Sequence, residues 1–341
     1  MSSARQKPIT TESRMSRLNA ITCALAAASL ALTAGHVSGQ AFPVKPIRAL
    51  VGYAAGGPAE LAMRAAANDM TTRLGQPVVL DIKAGATGMI ALDAMRDAPA
   101  DGYTISLFAT PTIVSSILAG KAVANPATAF TSIGYIWEAG IPFTINPASP
   151  YMANVRTMKD LVEAARANPG KIFFSSAGSG SSGHLVGAML AFNNGVELIH
   201  VGHKGIAPAT VDLMAGRIQL VMASIAGDQQ ALQEGKLRVL ATTAATRSQK
   251  YPNSPSIVEA GFPDLVTPTW GGVIAPAGVP KPIADRLSAE LKIAMDKQDV
   301  RRVVNTMSEA RNGTAEEFQQ RYVKDYELFA RVIKAANIKV E

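Results

Sequence analysis

Residues that build metal and covalent sites are scarce in this sequence. Its 341 residues include one cysteine, Cys23, and four histidines. Cys23 lies in an N-terminal apolar run, so a mature chain without that run has no disulfide, thiol nucleophile or cysteine-based metal site. The histidines beyond it lack the H-x-x-x-H and H-E-x-x-H spacings of zinc sites. We therefore expect neither a metal nor a cofactor.

Charge is also sparse, at 17% of the residues, with 33 basic and 26 acidic side chains. Residues 1–41 hold four of the basic and one of the acidic side chains, which leaves 29 and 25 and a net charge of about +4 instead of +7. Basic runs with interleaved aromatic residues are missing, so the sequence gives no support for binding to nucleic acid. A mildly positive field suits a small anionic ligand.

Apolar runs long enough to span a membrane are missing as well. The run Ala20–Ala34 falls short of the roughly 20 residues of a transmembrane helix. Arginines precede it and small residues follow it, which is typical of a secretory signal peptide, here residues 1–41. We therefore expect an exported protein. The sequence leaves open two cleavage sites and two translation starts: Ala41 or Gly39, and Met1 or Met15.

Strand-like and helix-like segments alternate along the rest of the chain, which predicts mostly parallel sheets with helices on both faces. Residues 130–147 form one long β-rich stretch in this interpretation. Ligands bind at the carboxyl ends of parallel strands, so two such units would present two ligand-binding edges to a shared cleft. The expected units are a first lobe at 42–145, a second lobe at 146–255, and a return to the first lobe at 256–341.

Three turns between a strand and a helix are rich in small residues. They read YAAGGPAE at 53–60, FATPT at 108–112 and SSAGSGSSGH at 175–184. Glycines let the backbone approach a ligand closely, and the free N–H groups at a helix start attract an anion. Three such turns at neighbouring sheet edges predict a shared anion site.

The third turn also matches G-x-G-x-x-G, the spacing of a dinucleotide-binding loop, at Gly178, Gly180 and Gly183. A dinucleotide site needs an acidic residue at the end of the next strand to bind the ribose. Glu197 stands at the start of that strand instead, so we disfavour this interpretation.

A serine hydrolase is the alternative from another class, with Ser181 or Ser182 acting with His184. The serines do not form a G-x-S-x-G nucleophile elbow, and the sequence nominates no third member of a triad. His184 is equally explained as a helix cap. His200 fits a core position in a strand, and His203 ends that strand facing either the cleft or solvent.

Taken in order, the motifs resemble the Bug family of periplasmic solute-binding receptors, which are associated with tripartite tricarboxylate transporters. The resemblance covers nearly all of residues 42–341. Its main segments read FPVKPIRALVGYAAGG, RLGQPVVLDIKAGATG, ADGYTISL, SSAGSGSSGHL and HKGIAPATVDLMAGRIQLV.

This resemblance implies a type II periplasmic-binding-protein fold with a hinge between two lobes. It implies a non-enzymatic receptor that captures a mono- or dicarboxylate, aliphatic or aromatic, through backbone amides, hydroxyls and waters. Membrane permease subunits or a sensor would be its partners, and we expect a monomer in the periplasm. The expected ligand contacts are Tyr53, Ala55, Gly56, Gly57, Glu60, Ala109, Thr110, Ser175, Ala177, Gly178, Ser182, His184, His203 and Ser224.

Several positions depart from the family's usual residues. Pro58 and Pro111 each remove an amide donor from a ligand loop, and Ala223 stands where an acid is common. Glu60 replaces an aspartate, and His203 replaces a tyrosine. These departures predict a ligand that is less polar or has fewer carboxylates. Trp270 and Tyr53 each fit the core, although both are placed to wall an apolar ligand.

Overall fold

The computed structural model describes residues 42–121, 125–203, 205–225, 227–306 and 308–335. The expected signal peptide lies outside these residues. Residues 45–341 form a unit of their own. In the described part of the chain, no helix is long and apolar enough to cross a membrane.

Strands and helices alternate through most of this unit. The strands are β1 (Ile47–Val51), β2 (Val78–Ile82), β3 (Thr104–Ala109), β4 (Thr131–Ala139), β5 (Pro142–Ile145), β6 (Phe173–Ser175), β7 (Ile199–His200), β8 (Leu220–Met222), β9 (Arg238–Thr242) and β10 (Thr269–Ala275). The helices are α1 (Pro58–Leu74), α2 (Met89–Arg96), α3 (Thr110–Leu118), α4 (Met158–Ala167), α5 (Ser182–Asn194), α6 (Ile206–Met214), α7 (Asp228–Gln233), α8 (Lys281–Asp296), α9 (Gln298–Asn305) and α10 (Ala315–Ala335).

The strands form two five-stranded sheets with the same plan. The first has the order β2-β1-β3-β10-β4 and the second the order β7-β6-β8-β5-β9. In each sheet the fourth strand, β10 or β5, runs antiparallel to both of its neighbours. The remaining pairs are parallel. Each antiparallel strand is the first one that the chain forms after crossing from the other sheet.

The first crossing divides the β-rich stretch that the sequence suggested. β4 belongs to the first sheet and β5 to the second, so the chain crosses at Gly140 and Ile141 rather than after residue 145. Ile141 N–H donates to Thr243 Oγ1 at 2.9 Å, and Thr243 N–H donates to Ile141 O at 3.0 Å. A side chain at Gly140 would lie within 2.8 Å of Thr242 Cβ, which explains the glycine. The outgoing and returning segments are thus bonded side by side.

Helices follow the local rules of the sequence. Pro58 occupies the first turn of α1, where its missing N–H costs nothing, and Gly75 ends the helix with φ of 66°. Thr157 and Asp160 form a capping box at the start of α4. The helices pack their apolar faces on the sheets, and one core of buried side chains extends from Leu50 through Phe143 to Phe329.

A buried polar contact fixes the last helix to the returning strand. Trp270 is fully buried, and its Nε1–H donates to Asp325 Oδ2 at 2.7 Å. Arg321 Nε–H donates to the same oxygen at 2.7 Å. Burial raises the pKa of Asp325, although Arg321 and Trp270 oppose the shift. Trp270 therefore belongs to the core rather than to the wall of a ligand site.

We expect Asp325→Ala to lower the free energy of unfolding by about 3–5 kcal/mol, because it leaves a buried indole N–H and a guanidinium unpaired. Urea unfolding followed by circular dichroism measures the change. Asp285→Ala is the control, since this exposed aspartate pairs with Lys281 on the surface and should barely affect stability. Equal effects of the two substitutions would contradict the role of Asp325.

Candidate functional site

A cavity of about 330 Å³ lies where the two sheets meet. Residues that follow β1, β3, β6 and β8 contribute to its wall, so it lies at the carboxyl edges of both sheets. The lining residues are Tyr53, Pro58, Ala59, Ala62, Ala109, Pro111, Trp137, Ala139, Gly140, Ile141, Ala177, Ser181, Ser182, Gly183, Met222, Ala223, Ser224, Thr269, Val304 and Ser308.

The start of α5 brings two serines to this wall. Ser181 is the N-cap, and its Oγ accepts the N–H of His184 at 3.4 Å. The N–H groups of Ser182 and Gly183 belong to the first turn, where no intrahelical acceptor exists. The hydroxyl of Ser182 is buried and has no hydrogen-bond partner among the described residues. This end of α5 therefore combines first-turn amides that lack an intrahelical acceptor with a buried, unpartnered hydroxyl.

Gly183 allows this helix start to approach the second sheet. A Cβ at this position would lie 1.9 Å from the carbonyl oxygen of Met222, the last residue of β8. The sequence therefore needs glycine here for packing, whatever its role in the G-x-G-x-x-G spacing.

The start of α1 enters the same wall from the first sheet, and two amides of the loop before it already have acceptors within the protein. Gly56 N–H donates to Glu60 Oε2 at 3.0 Å, and Gly57 N–H donates to Ala54 O at 3.1 Å. Glu60 is 2% exposed, and its other oxygen accepts from Arg64 Nε at 2.6 Å. The Gly56 amide therefore already has an acceptor within the protein, the carboxylate of Glu60.

The loop at 108–112 also has few donors to offer. Pro111 has no N–H, and the Thr110 hydroxyl accepts the N–H of Trp270 at 2.9 Å. Thr110 therefore holds α3 to β10 and does not line the cavity. Tyr53 does line it, and its hydroxyl bonds to Thr112 Oγ1 at 2.8 Å. Burial raises the pKa of Tyr53 to about 12, so its phenol stays protonated at neutral pH.

Three histidines bond to, or stack beside, the loop at 175–184. His203 Nδ1 bonds to the Ser175 hydroxyl and Nε2 to Asp212 Oδ2, both at 2.8 Å. The rings of His184 and His200 stack with centroids 3.8 Å apart, and His200 Nε2 bonds to Ser176 at 3.0 Å. Burial, followed by the charges of the other two histidines, lowers the pKa of His200 to about 4. These side chains fix the loop's shape.

The geometry does not favour the hydrolase alternative. His184 Nδ1 accepts the N–H of Gly180 at 3.1 Å, and the Ser181 hydroxyl donates to Ser176 Oγ. His184 thus acts as a cap, and the Ser182 hydroxyl has no hydrogen-bond partner among the described residues. In the same part of the chain, no three His, Cys, Asp or Glu side chains are grouped to hold a metal ion.

The predicted site residues fall into two groups. Those on the cavity wall are Tyr53, Ala109, Ala177, Ser182 and Ser224. Those off the wall are Ala55, Gly56, Gly57, Glu60, Thr110, Ser175, Gly178, His184 and His203. Most members of the second group make hydrogen bonds that shape the loops, and their partners are distant in sequence or are backbone groups.

The apolar part of the wall was missed by the sequence analysis. Trp137, Ile141 and Val304 line the cavity from β4, the first crossing and α9. None of these three residues lies in a turn rich in small residues, which was the signal used to predict ligand contacts. Val304 was predictable only from the expected return of residues 256–341 to the first lobe. Among the described residues of the wall, none has a formally charged side chain. The cavity is thus uncharged and largely apolar, with hydroxyl-bearing residues on both of its sides.

Comparison with known proteins identifies the family. The model of the tripartite tricarboxylate transporter family receptor matches residues 62–338. A protein encoded in the tcbD–tcbE intergenic region of Pseudomonas sp. strain P51 is 35% identical over 280 residues, which cover 81% of this chain and 82% of that protein.

Three solved structures are similar to this chain over most of its length. The periplasmic binding protein BugD is 28% identical, with a TM-score of 0.64 over 88% of this chain and 100% of BugD. A Rhodopseudomonas palustris protein solved with adipate is 28% identical, with a TM-score of 0.66 over 88% and 100% of the two chains. MatC of the same organism, solved with bound malate, is 25% identical, with a TM-score of 0.66 over 86% and 100%.

These matches confirm the resemblance to the Bug receptors and the expected fold class, with two mixed sheets flanked by helices. The chain therefore belongs to the family of tripartite tricarboxylate transporter receptors and has the fold of periplasmic binding proteins.

Proposed function

We propose that the protein is a periplasmic receptor that captures a small carboxylated solute in the cavity between the sheets. The observation that carries this proposal is the buried hydroxyl of Ser182, which has no partner among the described residues and belongs to the first turn of α5 on the cavity wall. A mono- or dicarboxylate, aliphatic or aromatic, has the oxygens to accept from these groups.

A carboxylate loses its hydration when it enters a cavity, so it needs several hydrogen bonds there. Hydroxyls and first-turn N–H groups supply them, the positive end of the helix dipole adds to the attraction, and waters can bridge the remaining distance. The apolar remainder of the wall suits a hydrocarbon body. Two family members were solved with carboxylates, one with malate and one with adipate, which supports the same ligand class.

We further propose that the two sheets belong to two lobes that close on the ligand. The lobes correspond to residues 42–145 with 256–341, and to 146–255, apart from the crossing strand β5. The paired crossing segments at Ile141 and Thr243 form the hinge, and a ligand that contacts both lobes favours the closed state. The closed receptor, a monomer exported by its signal peptide, would engage membrane permease subunits or a sensor.

Ser182→Ala should weaken carboxylate binding by about 1.5–3 kcal/mol, roughly ten- to hundredfold, because it removes a donor to a charged group. Titration calorimetry with carboxylates identified by a thermal-shift screen measures the loss. Thermal stability without ligand should hardly change, since this hydroxyl has no partner to lose within the described structure. Ser288→Ala, on α8 away from the wall, is the matched control, and unchanged affinity in Ser182→Ala would contradict the site.

Ser181→Ala tests the receptor against the hydrolase. We expect it to lower stability by about 1 kcal/mol through loss of the N-cap. Hydrolysis of a panel of p-nitrophenyl esters should stay at the buffer rate with and without the substitution. Saturable turnover that disappears in Ser181→Ala or Ser182→Ala would overturn the proposed function.

A further inference from the structure

Two aromatic side chains belong to the described part of the cavity wall, Tyr53 and Trp137. Tyr53 follows β1 and Trp137 lies in β4, so both come from the first sheet. The rest of the described wall has no other aromatic ring and no charged side chain. The way in which these two rings are held therefore decides which ligand body the wall suits.

Trp137 lies flat against the strand beside it. It is paired with Gly271 across β4 and β10, and a Cβ at Gly271 would lie 2.1 Å from both Cζ2 and Cη2 of the indole and 2.5 Å from Cε2. A point so close to three atoms of one ring lies above the ring plane, because a point outside the ring edge can approach only two of them. Gly271 therefore supports one face of the indole, and a larger residue there would displace it.

The other side of the indole borders the cavity. Trp137, Ala139 and Ile141 alternate along β4 and the crossing, and all three belong to the wall. Because the side chains of a strand alternate between the two faces of its sheet, this pattern places the side chain of Trp137 on the cavity. Trp137 is 9% exposed. With one face on Gly271, this exposed part belongs to the opposite face and its edge.

Tyr53 is held in place by its hydroxyl. Thr112 Oγ1 donates to Thr87 O at 2.9 Å, so its hydrogen is already used and it accepts the phenolic O–H of Tyr53 at 2.8 Å. Tyr53 therefore contributes ring surface to the wall and has no hydrogen left to donate to a ligand. Both aromatic side chains of the described wall are thus fixed by contacts within the protein.

Fixed aromatic rings distinguish ligands of similar size by the chemistry of the ligand body. Any apolar body gains affinity in proportion to the area that it removes from water. An aromatic body gains in addition from offset stacking or edge contact with the rings of the wall, roughly two- to tenfold in affinity. Because Trp137 and Tyr53 already hold their conformations, little side-chain entropy is lost when such a body binds.

We propose that the cavity selects a carboxylate with an aromatic body, and that Trp137 makes this selection by stacking on the ring of the ligand. This selectivity rests on the proposed function and narrows its ligand from aliphatic or aromatic carboxylates to the aromatic class. The stacking site consists of one side chain from β4 and the glycine opposite it in β10. It is therefore separate from the loops that would receive the carboxylate.

Pairs of acids that differ in the saturation of one ring test this selectivity. Titration calorimetry at neutral pH compares benzoate with cyclohexanecarboxylate and phenylacetate with cyclohexylacetate, and adipate represents the aliphatic dicarboxylates. The saturated acids expose more apolar surface, so burial alone predicts that they bind at least as tightly as the aromatic acids. We expect the aromatic member of at least one pair to bind about three or more times tighter than its saturated partner.

The other outcomes separate the selectivity from the receptor function. Equal or tighter binding of the saturated acid in both pairs would overturn the selectivity and leave the carboxylate receptor intact. Adipate as the tightest ligand of the five would do the same. Failure of all five acids to bind would instead count against the proposed function.

Substitution of Trp137 tests its role directly. Trp137→Leu keeps an apolar side chain but removes the ring, so the ratio of aromatic to saturated affinity should fall about threefold or more. Trp137→Met also lacks a ring and replaces this variant if it does not fold, and Trp137→Phe should retain most of the ratio. Phe192→Leu is the matched control, since this side chain is 63% exposed on α5 and lies off the wall. An unchanged ratio in a folded variant without the ring would mean that cavity size sets the preference, and would overturn the assignment.

Tryptophan fluorescence gives a readout that does not depend on affinity. The chain has two tryptophans, and Trp270 is fully buried with its N–H bonded to Asp325. An aromatic acid at saturation should therefore change the emission of Trp137, and Trp137→Phe should abolish this change while calorimetry still detects binding. No change in the unsubstituted protein, or a change that survives in Trp137→Phe, would contradict the contact.

Discussion

The paired crossing segments are the constraint on which the rest of the site depends. Each sheet receives its antiparallel strand from a chain that has just left the other sheet, and the two crossings are bonded to each other through Ile141 and Thr243. The carbonyl oxygen of Thr243 also accepts the N–H of Thr267 at 3.1 Å. This bond joins the segment that leads to β10 to the same point. Because the crossings join the sheets at this point, the carboxyl edges of both sheets line one cavity, and the loops that follow them face each other.

Alternation of strands and helices, and the small-residue loops at the strand ends, were predictable because both are local properties of the sequence. The point of crossing was not predictable, because residues 130–147 read as a single β-rich stretch. Gly140 is the one local signal, and its importance depends on Thr242, which lies about one hundred residues later. The apolar wall was missed for the same reason, since Val304 reaches the cavity only through the return of the tail.

The candidate site was predictable at the level of loops and much less so at the level of side chains. Ser175 and Thr110 have the composition and position of ligand contacts, yet their hydroxyls bond to His203 and to Trp270. Those partners are separated from them by 28 and 160 positions in the chain. A hydroxyl near a helix start is open to a ligand only if no distant residue claims it, and this condition cannot be evaluated from local sequence. Ser182 satisfies it among the described residues, whereas its neighbour Ser181 is used as a cap.

Small residues alone therefore do not determine what such a loop recognises. The loops before α1 and α5 both use glycine and a helix start, and in both the third helical side chain accepts a loop amide. What distinguishes them is the chemistry of that acceptor, since α1 uses a carboxylate that is also paired with Arg64, whereas α5 uses an imidazole.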